Sequence, residues 1–207
     1  MQRTNKTAYI TKIAMLGTLA FVIMLIEFQI PIFPPFLKMD FSDLIPLLGA
    51  LALGPVAGML AQLIKCILHW LFASTTGGVG DIANFIVGSV FVMTAGFIYK
   101  KKRSRKGAII ALFCATLAMI VAGAFSNYFI MVPFYAAIFF KERGGVQGVI
   151  DVAAATIPAI DSKLKLVLYA FCPFNLLKGV VLTLITLPLY KKVSPLLHRE
   201  NLRHKKN

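Results

Sequence analysis

Acidic residues are scarce in this chain, which has 8 Asp and Glu against 22 Lys and Arg in 207 residues. Charged residues of both signs make up 14% of it, well short of the share a water-soluble domain carries. With 58% hydrophobic residues and a mean hydropathy of +0.80, there is too little polar surface to cover a soluble globule. Cysteine is also sparse. Cys66, Cys114 and Cys172 all fall within apolar segments, and no CxxC or Cys/His spacing accompanies them, so they read as small core residues and not as a zinc site. The chain lacks GxxxxGK[ST], HExxH and GxSxG, and it has no paired carboxylates inside an apolar run. Nothing in it signals bond-making chemistry or an energy source of its own. The weak alternating pattern of an outer-membrane barrel strand is missing as well.

What the chain does have is long apolar runs, several near or above the roughly 20 residues that cross a bilayer as a helix. The expected fold is an all-α transmembrane bundle in one domain, residues 1–207. The second run, about 43–72, contains Gly54-Pro55 and reads as one long helix or as two joined at a turn. Charge decides between them. Arg3, Lys6 and Lys12, the stretch "KKKRSRK" at 100–106, and Lys191, Lys192, Arg199, Arg203, Lys205 and Lys206 together hold 15 of the 22 basic residues. Only an even number of crossings between clusters places all three in the cytoplasm. Six spans are therefore expected, at about 8–28, 43–53, 56–72, 81–99, 107–137 and 166–190, with both termini inside. The basic residues flank spans, so orientation accounts for them and nucleic acid is not an expected partner. No small-residue cleavage site follows the run Ile13–Phe28, which reads as a retained first span.

The second span would be only about 16 Å long, too short to cross alone, and is tolerable only where protein or a cavity surrounds its ends. Above it lies "QIPIFPPFLKMDFSD" at 29–43, a proline-stiffened, Phe-rich loop that reads as a lid. The later loop at 140–165 has room for a short interfacial helix.

Polar side chains inside apolar spans are costly and are site candidates by default. Lys65 and His69 share one helical face, as do Asp81 and Asn84, and Asn175 and Lys178. Asn127 stands about 30 Å from the start of its span, near the outer boundary. Lys38, Asp40, Asp81, Asn84 and Asn127 map to the outer half, with Lys65 and Lys178 deeper. Amides donate and accept in one plane, as recognition of an imide edge requires, and Lys adds a charged donor. Phe33, Phe36, Phe41, Phe85, Phe129 and Phe174 are available to cover a flat ring. Asn84 and Asn127 fit equally well as interhelical hydrogen-bond partners, Lys65 with His69 as an interior polar pair, and Trp70 as an interface anchor. Lys178 has no carboxylate in its own span.

"FLKMDFSDLIPLLGALALGPVAGML" at 36–60, "GDIANFIVG" at 80–88, "SNYF" at 126–129 and "PFNLLKG" at 173–179 together resemble the riboflavin-specific substrate-binding subunit (S component) of energy-coupling factor transporters. The likeness covers nearly the whole chain. It implies a six-helix bundle in the cell membrane that takes riboflavin from outside as cargo, with no catalytic activity, no cofactor and no bound metal of its own. Its partners would be a membrane scaffold subunit and two ATPases. By motif it implies ligand contacts at Asn127, Asn175 and Lys178, to which the residue reading adds Asn84. The lid segment Leu37, Lys38, Met39, Asp40 and Phe41 is carried over as well. The family's first helix docks on the scaffold through small residues four apart; here "AMLGTLA" offers Ala14 and Thr18, with Gly17 beside them. Two other readings stay open: flavin mononucleotide or another vitamin as ligand in the same bundle, and a small intramembrane enzyme using Lys65, His69 and Asp81.

Overall fold

A computed structural model of the protein describes residues 6–203. Of the basic clusters, Arg3, Lys205 and Lys206 lie outside the described residues, as do the side chains of Lys191, Lys192, Arg199 and Arg203.

Helix α1 (Lys6–Met24) leads into a two-stranded antiparallel ribbon, β1 (Phe28–Gln29) with β2 (Lys38–Met39), in which Phe28 faces Met39 and Gln29 faces Lys38. The intervening prolines cannot continue a ladder, so the ribbon stays two residues long. Then come α2 (Leu44–Leu53), α3 (Pro55–Phe72) and α4 (Val79–Lys101). The break between α2 and α3 is set by Gly54, whose φ of 108° and ψ of 165° belong to a region side chains disfavour, and by Pro55, which starts α3 where its missing N–H is harmless. Ser104 caps α5 (Arg105–Ser126) by accepting from Gly107 N–H at 3.0 Å.

α5 runs without interruption through a π-helical turn (Asn127–Met131) into α6 (Val132–Phe139). After the short helix α7 (Val146–Ala154), α8 (Lys163–Leu166) runs through a second π turn (Val167–Phe171) into α9 (Cys172–Arg203). The two π turns have one cause. Pro133 and Pro173 each stand two residues past a turn, lack an N–H, and would clash with the carbonyl four residues back, which falls inside the turn; the widened turn accommodates both defects.

Among the described residues, five helical segments, 6–24, 55–72, 79–101, 105–139 and 163–189, are long and apolar enough to cross a membrane, and α2 is a shorter apolar helix. α2 is the most enclosed of these. Leu47, Leu48, Gly49, Ala50 and Leu51 are all buried, packed among α1, α3, α4 and α9. One apolar core (Leu47, Phe91, Leu112, Met119 and Leu182 among others) ties α2, α4, α5 and α9 together. A second, around Phe33, Met39, Val149, Leu166 and Phe171, packs the ribbon loop and α7 against α6 and α9. Between these cores, where both π turns lie, is a cavity.

Candidate functional site

The cavity has a volume of about 390 Å³, within the range of roughly 300–1,000 Å³ typical of small-molecule sites. Its wall combines aromatic rings with one concentrated polar group. Phe36, Tyr135, Phe171 and Phe174 supply rings, with Phe36 lying 6.0 Å from Tyr135 and 6.1 Å from Phe171 between ring centres. Phe33 backs Phe174 edge-on at 5.4 Å.

Of the residues singled out from the sequence, Leu37, Lys38, Asp40, Asn84, Asn127, Asn175 and Lys178 all line this cavity. Met39 and Phe41 do not. Met39 is turned into the core beneath the loop, and Phe41 packs on that core and against Phe28, with ring centres 5.9 Å apart. Phe129 is exposed, two residues and so about half a turn on from Asn127, which puts it on the opposite side of the helix. Sequence reasoning missed Tyr135 and Phe171 because neither stands in a motif; Pro133, the counterpart of Pro173, was the available sign that this stretch of helix is modified.

The polar wall is a charge cluster drawn from four elements. Lys178 Nζ on α9 reaches Asp40 Oδ2 at 3.0 Å and, as an ion pair without hydrogen-bond alignment, Asp43 Oδ2 at 2.7 Å. Asp43 Oδ1 pairs with Lys65 of α3 at 2.5 Å, and Lys65 also donates to Ser42 Oγ at 2.9 Å and Asn84 Oδ1 at 3.0 Å. Gln62 donates to Asp43 at 2.7 Å and to Asn84 Oδ1 at 3.2 Å. Two lysines and two aspartates thus neutralise one another in a buried site, the condition under which burial of charge is tolerable. The two depths expected for Asp40 and Lys178 are in fact one, since the two residues touch. Lys65 lies behind the wall, fully enclosed by Asp43, Ser42 and Asn84, and does not pair with His69. His69 Nδ1 instead stands 2.5 Å from Asp81 Oδ1, and both line the cavity's other end with Thr75 and Thr76. There Lys38 pairs with Glu27 and donates to Thr75 Oγ1 at 3.2 Å.

Asp40 belongs to the loop and is closed off by Ser42, whose N–H donates to its Oδ1 at 2.8 Å. Burial pushes its carboxyl up, but the Lys178 and Lys65 ammonium groups and the Ser42 hydrogen bond together more than offset this and hold it below the ordinary value of 3.8. The carboxylate is therefore ionised, and the loop that carries it is clamped onto α9.

On α1, Ala14 and Thr18 are exposed among Ile10, Met15, Leu19 and Val22. Gly17 is not part of that face. It is buried against α3, where a Cβ would stand 2.7 Å from Ile64 Cβ, so its smallness serves packing inside the bundle.

An apolar helical bundle around a cavity, with aromatic walls and a neutralised polar cluster, defines a membrane protein suited to holding a small molecule. The sequence matches the family described as ECF transporter, substrate-specific component, over residues 8–190, and the chain belongs to that family. It is 38% identical over 188 residues to the riboflavin transporter RibU of Staphylococcus aureus (strain TCH60), covering 90% of each chain. It is 32% identical over 202 residues to the riboflavin transporter FmnP of Bacillus subtilis (strain 168), covering 96% of this chain and 98% of that one. A solved structure of the S component of a bacterial ECF transporter superposes with a TM-score of 0.71 at 36% identity, covering 93% of this chain and 99% of the other. The chain is thus a transporter component and not an enzyme.

Proposed function

We propose that this chain is a single-domain membrane subunit that captures riboflavin from outside the cell for an energy-coupling factor transporter. The observation that carries the reading is the joining of Asn127, Asn175 and Lys178, from two distant segments, in the lining of one ring-walled cavity. Aromatic faces suit an isoalloxazine ring, and amides with an ammonium suit its imide edge. The names of the two relatives support the same ligand.

Charge favours the neutral vitamin over its phosphate. Glu27, Asp40, Asp43 and Asp81 line the cavity against Lys38 and Lys178, and Lys38 and Lys178 are already engaged by carboxylates. A phosphate would meet carboxylates already paired with their partners and no unpaired cation among the described lining residues. The test is mass spectrometry of the small molecule released when the purified protein is denatured, followed by competition between riboflavin and riboflavin 5′-phosphate. Riboflavin is the expected occupant and the stronger competitor; release of another compound, or stronger competition by the phosphate, would overturn the assignment.

α2, enclosed by its neighbours, completes a six-crossing bundle with both termini in the cytoplasm, a topology supported by the placement of the basic clusters. Only 22% of the crossing window of α1 is buried, against 39–44% for the other four, which makes α1 the face for a membrane scaffold that couples the chain to two ATPases. Ala14 and Thr18 sit on that exposed face.

A further inference from the structure

The two amides of the proposed site meet at a residue that the sequence reading passed over. Gly123, buried on α5, offers its carbonyl to the Asn127 side-chain amide nitrogen at 2.7 Å, and the backbone N–H of Asn127 bonds to the same oxygen. With its nitrogen engaged on its own helix, Asn127 keeps its side-chain carbonyl oxygen as the group left to accept from a ligand in the cavity it lines. On the other side, the Asn175 amide nitrogen occupies the space that a side chain at Gly123 would need. A Cβ built there would overlap that nitrogen and stand 3.2 Å from the amide carbon.

We infer that Gly123 is a positioning residue of the ligand site, which orients Asn127 through its carbonyl and admits Asn175 through its missing side chain. Two neighbours of the site show why the position is sensitive. Asn127 begins one π turn, and Asn175 follows the other by four residues, at the start of α9, so the direction of each amide depends on a turn that departs from the α-helical register. The contact at Gly123 brings the two segments together at the level of the amides. A methyl group there moves Asn175 and leaves the two amides mutually misplaced, although neither has been changed.

This inference rests on the reading of Asn127 and Asn175 as ligand contacts, and the experiment separates the two claims. Riboflavin affinity is measured for Gly123→Ala, Asn175→Ala and the double variant, with N3-methylriboflavin, which lacks the imide N–H, as a second ligand. Asn175→Ala and Gly123→Ala are each expected to weaken riboflavin by about tenfold. In the Asn175→Ala background, where the added methyl meets no amide, Gly123→Ala should cost less than about twofold. Gly123→Ala should also narrow the preference for riboflavin over the methylated analogue, whereas a general packing defect lowers both affinities alike. If Asn175→Ala weakens binding but Gly123→Ala has no effect, or has the same effect in both backgrounds, the site reading stands and the positioning role is overturned. If Asn175→Ala leaves affinity unchanged, the site reading itself fails, and the positioning role with it. Should Gly123→Ala fail to fold while the double variant folds and binds like Asn175→Ala, the contact is supported. Failure of both to fold overturns it in favour of helix packing.

Discussion

Lys178 on α9 and Asp40 in the loop before α2 lie 138 residues apart and form a buried ion pair of 3.0 Å. The pair joins the last helix to the loop that covers the cavity. Lys178 therefore has two tasks: it closes the loop, and it lines the site. Removal of one partner from such a pair leaves an uncompensated buried charge, worth roughly 3–5 kcal/mol. Lys178→Met is expected to lower thermal stability in detergent and to abolish high-affinity binding. The double variant Lys178→Met with Asp40→Asn should recover part of the stability but none of the affinity. Recovery of both would confine Lys178 to closing the loop.

Lys65 should behave differently. It is fully enclosed and bonded to Asp43, Ser42 and Asn84, and it lies behind the cavity wall. Lys65→Met is expected to destabilise the protein by an amount similar to Lys178→Met, because Lys178 is then the one cation left on Asp43. The fraction that remains folded should bind riboflavin within about tenfold of the unaltered protein. Isothermal titration on material that has passed size-exclusion chromatography distinguishes the two lysines.

The folded Asp40 carboxyl is held below 3.8 against the effect of burial by Lys178, with help from Lys65 and Ser42. A depressed carboxylate contributes stability that is fully present above its unfolded value and is lost as pH falls through the folded one. Riboflavin affinity should therefore be flat from about pH 8 to pH 5, with the loss of stability confined to values below about pH 4. Unfolding midpoints measured across that range provide the check; a decline already between pH 7 and 5 would contradict the pairing.

Gly54 separates a conformational requirement from a spatial one. Its φ is 108°, yet no atom lies within 4 Å of where a Cβ would stand. Gly54→Ala is thus expected to destabilise by about 1–3 kcal/mol through backbone strain alone. A fall in the unfolding midpoint with unchanged riboflavin affinity is the expected result.

Trp70 is the protein's single tryptophan, 53% exposed beside Gly78 and outside the cavity lining. Riboflavin should quench its emission on binding, whereas Trp70→Phe should remove the signal without altering affinity measured by titration calorimetry. A changed affinity would place Trp70 in the site.

The sequence alone determined that the chain is a helical membrane bundle, because hydropathy, helix breakers and the cost of intramembrane charge act locally and leave their mark in composition and spacing. It also determined that Asn127, Asn175 and Lys178 required an explanation, since a polar side chain in an apolar run is visible without knowing what surrounds it. Only the tertiary structure decided what each of them meets. Asp43 read as the start of a helix and proved to bridge two lysines from α3 and α9. Gly17 read as part of a docking face and proved to be buried against Ile64. Gly123 had no distinguishing mark in the sequence, yet both amides rest on it. The reason is the same in each case. Burial energies are felt residue by residue, whereas ion pairs and close contacts depend on which helices cross, and spacing along one helix carries no record of its neighbour.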